Sequence, residues 1–341
     1  MGLAKIAFNF LVKNAKGELV TSSLLHAKPK MPINIKGLTY SPELKGNIIN
    51  LSNITKNNIK ILKESEVLKS LENYPKILRK TDDKLVQLAK GENITSDQRK
   101  ELHNVLTTLN EESAAFITSK IGRSAWNLTI ADKPLVNKIG KDIFKTEINF
   151  LKTFDNALFP KSTNPKAIKI EHELSKMGID AKLSDHIEEG EILLSACKKM
   201  QKLGIKQFPK YRFSVPDKGC GAFAVPNENI NEGYVILKDF LQELKTAKQG
   251  YFAEKTGEGF IAHETAHILN NHLGIFDNLM RVSWMTDPNA GKKFFDILNK
   301  HVSQYASHSP HEAGSEIFAA TVEGKIFNDE VMNICKYYKF A

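Results

Sequence analysis

Hydrophobic residues recur at intervals of three and four along much of the chain, which is the period of an amphipathic helix. This pattern dominates from about residue 46 to residue 158, as in TKNNIKILKESEVLKSLEN and SDQRKELHNVLTTLNEESAAFITSKIG, where polar residues precede the apolar runs. Residues 1–45 contain three prolines and show no sustained period. The pattern predicts an irregular leader at 1–45 and a helical domain at 46–158.

A second change of pattern follows the break FPKSTNPKA at 159–167. The segments EHELSKMG and EEGEILLSACKKMQKLG have helical spacing, and short apolar runs at 211–215, 221–225 and 233–237 then predict strands separated by Pro, Gly and Asn turns. Helical spacing resumes with KDFLQELKTAK. The chain is therefore expected to have an α+β fold that is mainly helical, with a sheet-containing domain at 165–341.

Composition excludes several classes of protein. The 341 residues carry a formal net charge of +9, but the lysines are scattered among acidic residues and give no specific nucleic-acid signal. No apolar run approaches the roughly 18 residues of a transmembrane helix. Three cysteines without a CxxC pair argue against a disulfide framework and a cysteine zinc site. The N-terminus shows no signal-peptide cleavage site, and no feature sets an oligomeric state.

The segment GEGFIAHETAHILNNHLG contains the pattern HExxH, formed here by His263, Glu264 and His267. Histidines four residues apart project from one face of a helix, so both imidazoles can bind one ion. The intervening glutamate can take a proton from water and later return it to the leaving amine. Apolar and small residues surround the motif, which indicates a buried helix. The pattern predicts a catalytic zinc centre with Glu264 as general base.

A catalytic zinc ion usually has three protein ligands, so a third donor must come from elsewhere in the chain. His272 lies five residues after His267 without an intervening glycine, which does not match the histidine arrangement of metzincins. The segment HEAGSEIFAATVEGKIF instead offers glutamates on a second apolar helix: Glu312, Glu316 and Glu323. Glu316 is preferred because its neighbours are apolar and a buried carboxylate needs a cation, and Glu312 is the alternative.

These segments together resemble the gluzincin metallopeptidases related to anthrax lethal factor, over about residues 255–327. The shared features are HETAH, KKFFDI at Lys292 to Ile297, Tyr305, and EIFA from Glu316 to Ala319. The resemblance implies that Glu316 is the third zinc ligand and that Tyr305 donates its phenol to the oxyanion. It also implies a zincin-like domain, in which a small sheet precedes the active-site helix, and a role as a toxin or secreted effector.

Two positions depart from that family. Tyr305 lies eleven residues before Glu316, which exceeds the usual separation, and Ala320 stands where relatives commonly carry another glutamate. Histidines also flank Tyr305 and are alternative donors to the oxyanion: His301, His308 and His311.

In zincin-like folds the substrate pairs with an edge strand through main-chain hydrogen bonds. GAFAV at 221–225 is the best candidate, because Gly219 and Gly221 permit close approach and Pro226 ends the strand. Trp284 lies in a loop between the two zinc-bearing helices, where it could line a specificity pocket.

The sequence therefore predicts an endopeptidase that binds one zinc ion per chain and hydrolyses a protein or peptide substrate. The helical N-terminal region is expected to select that substrate. Without a cleavable signal, such a protein is either delivered into a host cell by a specialised secretion route or retained in the cytoplasm. The alternative function is a helical binding or structural protein whose zinc site is silent or absent.

Overall fold

The computed structural model describes residues 33–35, 38–40, 89–115, 133–214, 221–246, 250–271, 288–308 and 310–338. Within the predicted leader, strand β1 (Ile33–Ile35) pairs antiparallel with β2 (Leu38–Tyr40). The rest of that leader lies outside the described residues. Three residues named above lie outside them too: Gly219, His272 and Trp284.

Helices make up most of the described chain, as the spacing of apolar residues predicted. The N-terminal region contributes α1 (Ser96–Ala115) and α2 (Lys133–Leu158). The later helices are α3 (Pro165–Lys176), α4 (Ile187–Lys202), α5 (Phe240–Thr246), α6 (Gly257–Asn270), α7 (Pro288–His301), α8 (Pro310–Val322) and α9 (Asp329–Tyr338). None of the helices in the described ranges combines the length and apolar character needed to span a bilayer.

A four-stranded mixed sheet lies between helical layers. Its strands are β3 (Ala181–Lys182), β4 (Lys210–Phe213), β5 (Ala222–Val225) and β6 (Tyr234–Leu237). Their order across the sheet is β3, β4, β6, β5, with β5 antiparallel to β6 and the other pairs parallel. The α+β class is confirmed, and β5, formed by the predicted GAFAV segment, lies at one edge of the sheet.

Alternate residues of β6 belong to two hydrophobic cores, one on each face of the sheet. Val235 and Leu237 pack in a core with α3, α4 and α6, whereas Tyr234 and Ile236 pack in a core with α1 and α2. Because successive side chains of a strand point to opposite faces, the sheet is covered by helices on both sides. The second core joins α2 to the sheet, so it continues across the domain boundary that the sequence predicts at 159–167.

Charged side chains also connect α2 to the sheet. Arg212 of β4 is 2% exposed; its Nε lies 2.6 Å from Asp155 Oδ1, and its Nη1 lies 2.9 Å from Asp180 Oδ1. Lys182 Nζ lies 2.5 Å from Asp155 Oδ2. Burial alone would raise the pKa of Asp155, but Arg212 and Lys182 outweigh it and hold that pKa below its ordinary value. We call these four residues the arginine cluster.

Helix α8 packs along α6 through small side chains. Ala262 and Ala266 of α6 and Ala319 of α8 are all buried in one core. Small residues allow two helix backbones to approach closely. Another side of α8 packs with α7 and α9 in a third core. Helix α8, which carries Glu312 and Glu316, is thus held between α6 on one side and α7 and α9 on the other.

Candidate metal centre

The start of α6 is fixed against the end of α8. Thr256 caps α6, since its Oγ1 accepts a hydrogen bond of 3.2 Å from the Gly259 N–H. Glu323, just after α8, accepts hydrogen bonds from the N–H groups of Lys255 and Thr256, at 3.0 Å and 2.9 Å. A Cβ at position 259 would lie 2.5 Å from Glu254 Cβ, so a glycine is required there.

His263 and His267 project together from α6, and their Nε2 atoms are 3.1 Å apart. Glu312, in the first turn of α8, directs its Oε2 to the same point. This oxygen lies 3.2 Å from His263 Nε2 and 3.4 Å from His267 Nε2. The structure therefore brings both predicted histidine ligands together with one carboxylate oxygen.

The geometry of these three atoms fits a zinc ion. Ligand atoms about 2.0–2.1 Å from a tetrahedral zinc lie about 3.3 Å from one another, close to the three observed separations. Each Nδ1 atom lies near another group: that of His263 is 2.8 Å from Glu316 Oε1, and that of His267 is 3.0 Å from Ser315 Oγ. Rings that carry their N–H on the Nδ1 side direct two Nε2 lone pairs toward a carboxylate oxygen. In the zinc-free protein a proton on His263 can lie between these atoms, and a bound cation could replace it and accept all three lone pairs.

Glu316, the residue predicted as third ligand, lies on the opposite side of the His263 ring. Its Oε1 is 2.8 Å from His263 Nδ1, and Glu254 Oε1 is 3.8 Å from the same nitrogen. Among the described residues, the group of potential ligands that contains both histidines is completed by Glu312, and the group that contains Glu316 is completed by Glu254 and His263. The structure therefore places Glu312, the alternative third ligand, beside both Nε2 atoms, and Glu316 beside His263 Nδ1.

If the resemblance to the lethal factor family is aligned on Glu312 instead of Glu316, both of the positions that departed from the family change. Tyr305 lies seven residues before Glu312, four fewer than before Glu316. Glu316 follows Glu312 by four residues, so it fills the position of the second glutamate that Ala320 failed to match.

Glu264 is buried next to the two histidines, with 8% of its surface exposed. Burial raises the pKa of its carboxyl, although the charges of His267 and His263 act in the opposite direction. A bound dication would add a stronger charge and favour the carboxylate form. The residue is therefore suited to hold a proton temporarily beside a metal ion.

The other ionisable groups of the site shift one another. Burial alone would lower the pKa of His263, but the carboxyls of Glu254, Glu312 and Glu316 outweigh it and raise that pKa well above its ordinary value. Burial alone would raise the pKa of Glu312, but His267 and His263 hold it well below its ordinary range. A zinc ion must therefore displace a proton from His263 when it binds.

Tyr305 lies in a turn between α7 and the short 3₁₀ helix Ala306–His308. Its ring centroid is 5.8 Å from that of His263 and 5.1 Å from that of Phe252. Burial, followed by the charge of Glu312, raises the pKa of Tyr305 well above its ordinary value. The phenol consequently stays protonated and can donate a hydrogen bond near the histidines.

The three histidines around Tyr305 have different surroundings. The ring centroid of His311 lies 4.3 Å from that of His267, so His311 stays an alternative donor to the oxyanion. His301 instead faces α9, where its Nε2 is 3.5 Å from Glu330 Oε2. His308 lies in the 3₁₀ helix, and its side chain is outside the described part of the structure.

Three residues that the sequence did not single out contact the site: Glu254, Ser303 and Ser315. Ser315 lies three residues after Glu312 on α8, so helical spacing places it near the same face. Glu254 and Ser303 lie in connecting segments without a periodic pattern. The KKFFDI segment has a structural role, because Phe294, Phe295 and Ile297 pack against the core of α7, α8 and α9.

Comparisons with known proteins add nothing to this geometry: no protein-family model, curated protein or solved structure matches the chain.

Proposed function

We propose that this chain is a zinc-dependent endopeptidase in which His263, His267 and Glu312 hold the ion and Glu264 is the general base. The observation that carries the proposal is the convergence of two imidazole nitrogens and one carboxylate oxygen at mutual distances of 3.1, 3.2 and 3.4 Å. Metal binding alone does not need a buried glutamate between the two histidines. The presence of Glu264 there favours hydrolysis over a purely structural ion.

Each residue has a separate task in peptide hydrolysis. A zinc ion held by the three ligands would polarise the peptide carbonyl and make water more acidic. Glu264 takes the proton of the attacking water and later delivers it to the leaving amine. The Tyr305 phenol donates a hydrogen bond to the oxyanion that forms at the carbonyl carbon, and His311 is the alternative donor.

Strand β5 is the proposed binding edge for the substrate in a zincin-like arrangement. It pairs with β6 on one side only within the described sheet, and its residues and those of α6 share contacts. An extended peptide added to such an edge gains main-chain hydrogen bonds that do not depend on its side chains. The resemblance to the lethal factor family extends this proposal to a secreted effector that cleaves a protein of another cell.

Metal analysis combined with one substitution tests the proposal. Purified full-length protein should contain one zinc ion per chain and should cleave members of a library of internally quenched peptides. Glu264→Gln should keep the zinc but lower kcat/KM by about 100- to 10,000-fold, because the water loses its base. Glu258→Gln is the matched control: Glu258 lies on the same helix but bonds to Ser195, 3.0 Å away, and should leave both properties unchanged.

Two results would contradict this function. Protein without stoichiometric zinc, or a Glu264→Gln variant as active as the wild type, would exclude the mechanism. Zinc binding without cleavage of any peptide in the wild type would favour the alternative, a helical binding or structural protein with a silent metal site.

A further inference from the structure

Glu316 is completely buried between α6, α8 and two connecting segments. Its Oε1 lies 2.8 Å from His263 Nδ1. Its Oε2 accepts hydrogen bonds from the Ala253 N–H and the Ser303 hydroxyl, both at 2.6 Å. One carboxylate therefore contacts three segments that are distant in sequence.

Two of these segments position Tyr305. The Ser303 hydroxyl oxygen accepts a hydrogen bond of 2.9 Å from the Ala306 N–H, which closes the turn around Tyr305. The Tyr305 N–H donates to the Tyr251 carbonyl at 2.8 Å, close to the point where Ala253 bonds to Glu316. The turn that contains Tyr305, the segment before α6 and the His263 ring thus all contact the same carboxylate, that of Glu316.

A carboxylate suits this position better than any other side chain. Two acceptor oxygens without a proton can serve an imidazole N–H, a backbone N–H and a hydroxyl at the same time. Glutamine has the same shape but only one acceptor, so its NH2 group must face either His263 or the pair of donors at Ala253 and Ser303.

We propose that Glu316 is a positioning residue that fixes the His263 ring and the Tyr305 turn together, so that the metal site and the oxyanion donor keep one relative geometry. This inference rests on the proposed function. It assigns Glu316 a task distinct from metal ligation, since the residue acts through His263 and through Ser303.

Three variants of the full chain separate this task from a general structural one. Glu316→Gln disturbs both sides of the carboxylate. Ser303→Ala removes only the contact to the Tyr305 turn. Glu323→Gln is the matched control, because Glu323 also accepts hydrogen bonds from the segment before α6, at Lys255 and Thr256, but its hydrogen bonds do not include a histidine.

Three quantities are measured for each variant. They are the zinc affinity by chelator competition, the visible spectrum of the cobalt(II)-substituted protein, and kcat per bound zinc. Glu316→Gln should weaken zinc binding about 10- to 100-fold and shift the cobalt spectrum. Ser303→Ala should keep the zinc affinity and lower kcat per bound zinc, about tenfold. In both variants, Tyr305→Phe should reduce kcat by a smaller factor than it does in the wild type. Glu323→Gln should change neither the cobalt spectrum nor the effect of Tyr305→Phe.

The inference is overturned if Glu316→Gln has the zinc affinity and cobalt spectrum of the wild type. It is equally overturned if this variant loses the metal as completely as Glu312→Gln, because Glu316 would then be a ligand. If Glu316→Gln fails to fold, the inference is tested with Ser303→Ala. It is then overturned if Tyr305→Phe lowers kcat in the Ser303→Ala background by the same factor as in the wild type. A wild type that binds no zinc refutes the proposed function itself and is recognised before any variant is measured.

Discussion

The arginine cluster, beneath α2, and the histidine cluster, between α6 and α8, both bury charged groups, but they balance charge differently. The arginine cluster joins two aspartates to Arg212, which is always charged, and to Lys182. The histidine cluster consists of Glu254, His263, Glu264, His267, Glu312 and Glu316. The ion pairs of Glu254, Glu312 and Glu316 described above are made with the imidazoles of His263 and His267.

The pKa shifts reflect this difference. In the arginine cluster the pKa of Asp155 is lowered, because its cations outweigh the cost of burial. In the histidine cluster burial wins at Glu254, whose pKa rises well above its ordinary value, and the charge of Glu316 adds to this rise. One cluster is neutralised by its own side chains, whereas the other has a surplus of acids that an added dication would balance. The comparison thus distinguishes a structural ion-pair network from a cluster that could hold a metal ion.

Removal of zinc should have the largest effect on the histidine cluster, and it should lower the free energy of unfolding. At a free zinc concentration about 1,000 times the dissociation constant, binding adds about 4 kcal/mol to the free energy of unfolding. A chelator should remove this increment from the wild type, and Glu312→Gln should lack most of it. Denaturant unfolding with and without zinc measures both. Equal unfolding free energies of the wild type under the two conditions would show that its acids are balanced without a metal.

Loss of a partner in the arginine cluster should be costly but independent of zinc. Arg212→Met leaves Asp155 largely buried beside a single cation, and the free energy of unfolding should fall by about 3 kcal/mol. The increment gained from zinc should stay the same, since the two clusters lie on opposite sides of the sheet. A smaller zinc increment in Arg212→Met, measured in the same unfolding experiment, would mean that the clusters are coupled.

The sequence predicted the parts of the histidine cluster that depend on local spacing. His263, Glu264 and His267 lie within one helical turn, so their common face follows from the helix period alone. Three of the four strands, β4, β5 and β6, were predicted from short apolar runs between turns, whereas β3 was not. Both predictions need no knowledge of how distant segments meet.

The assignment of the third carboxylate could not be made in this way. Glu312 and Glu316 are four residues apart and lie on the same stripe of α8, so a helical pattern cannot distinguish them. The register of α8 on α6 decides between them, and this register depends on the tertiary contact between the two helices, in which small residues such as Ala319 are buried. The contacts of Glu254 and Ser303 were also unpredictable, because both depend on tertiary structure without a local signal.

The two clusters should contribute to stability in different pH ranges: the histidine cluster loses its contribution as pH rises, and the arginine cluster loses its contribution as pH falls. In zinc-free protein the raised pKa of His263 gives stability that is present below about pH 6.5 and lost as pH rises through the raised value. Zinc must displace that proton, so its affinity should rise with pH by up to about tenfold per unit in this range. The lowered pKa of Asp155 instead gives stability that is present above its ordinary pKa and lost as pH falls.

Zinc affinity and unfolding free energy, each measured from about pH 4 to about pH 9, check these windows. A zinc affinity that does not change above about pH 6 would contradict the proton displacement. Arg212→Met supplies the control for the acid side. It should flatten the loss of stability at low pH without altering the dependence of zinc affinity on pH.

The smallest effect is expected from a neutral hydrogen bond next to the histidine cluster. The Tyr211 hydroxyl lies 2.8 Å from Thr265 Oγ1, one residue after the proposed base, and both groups are buried. Tyr211→Phe should cost about 1 kcal/mol of unfolding free energy, because Thr265 keeps its bond to the Ile261 carbonyl at 2.7 Å. Zinc affinity should stay at the wild-type value. If it fell, metal binding would depend on the exact placement of α6 as well as on the surplus of acids, and the contrast between the two clusters would have to include packing.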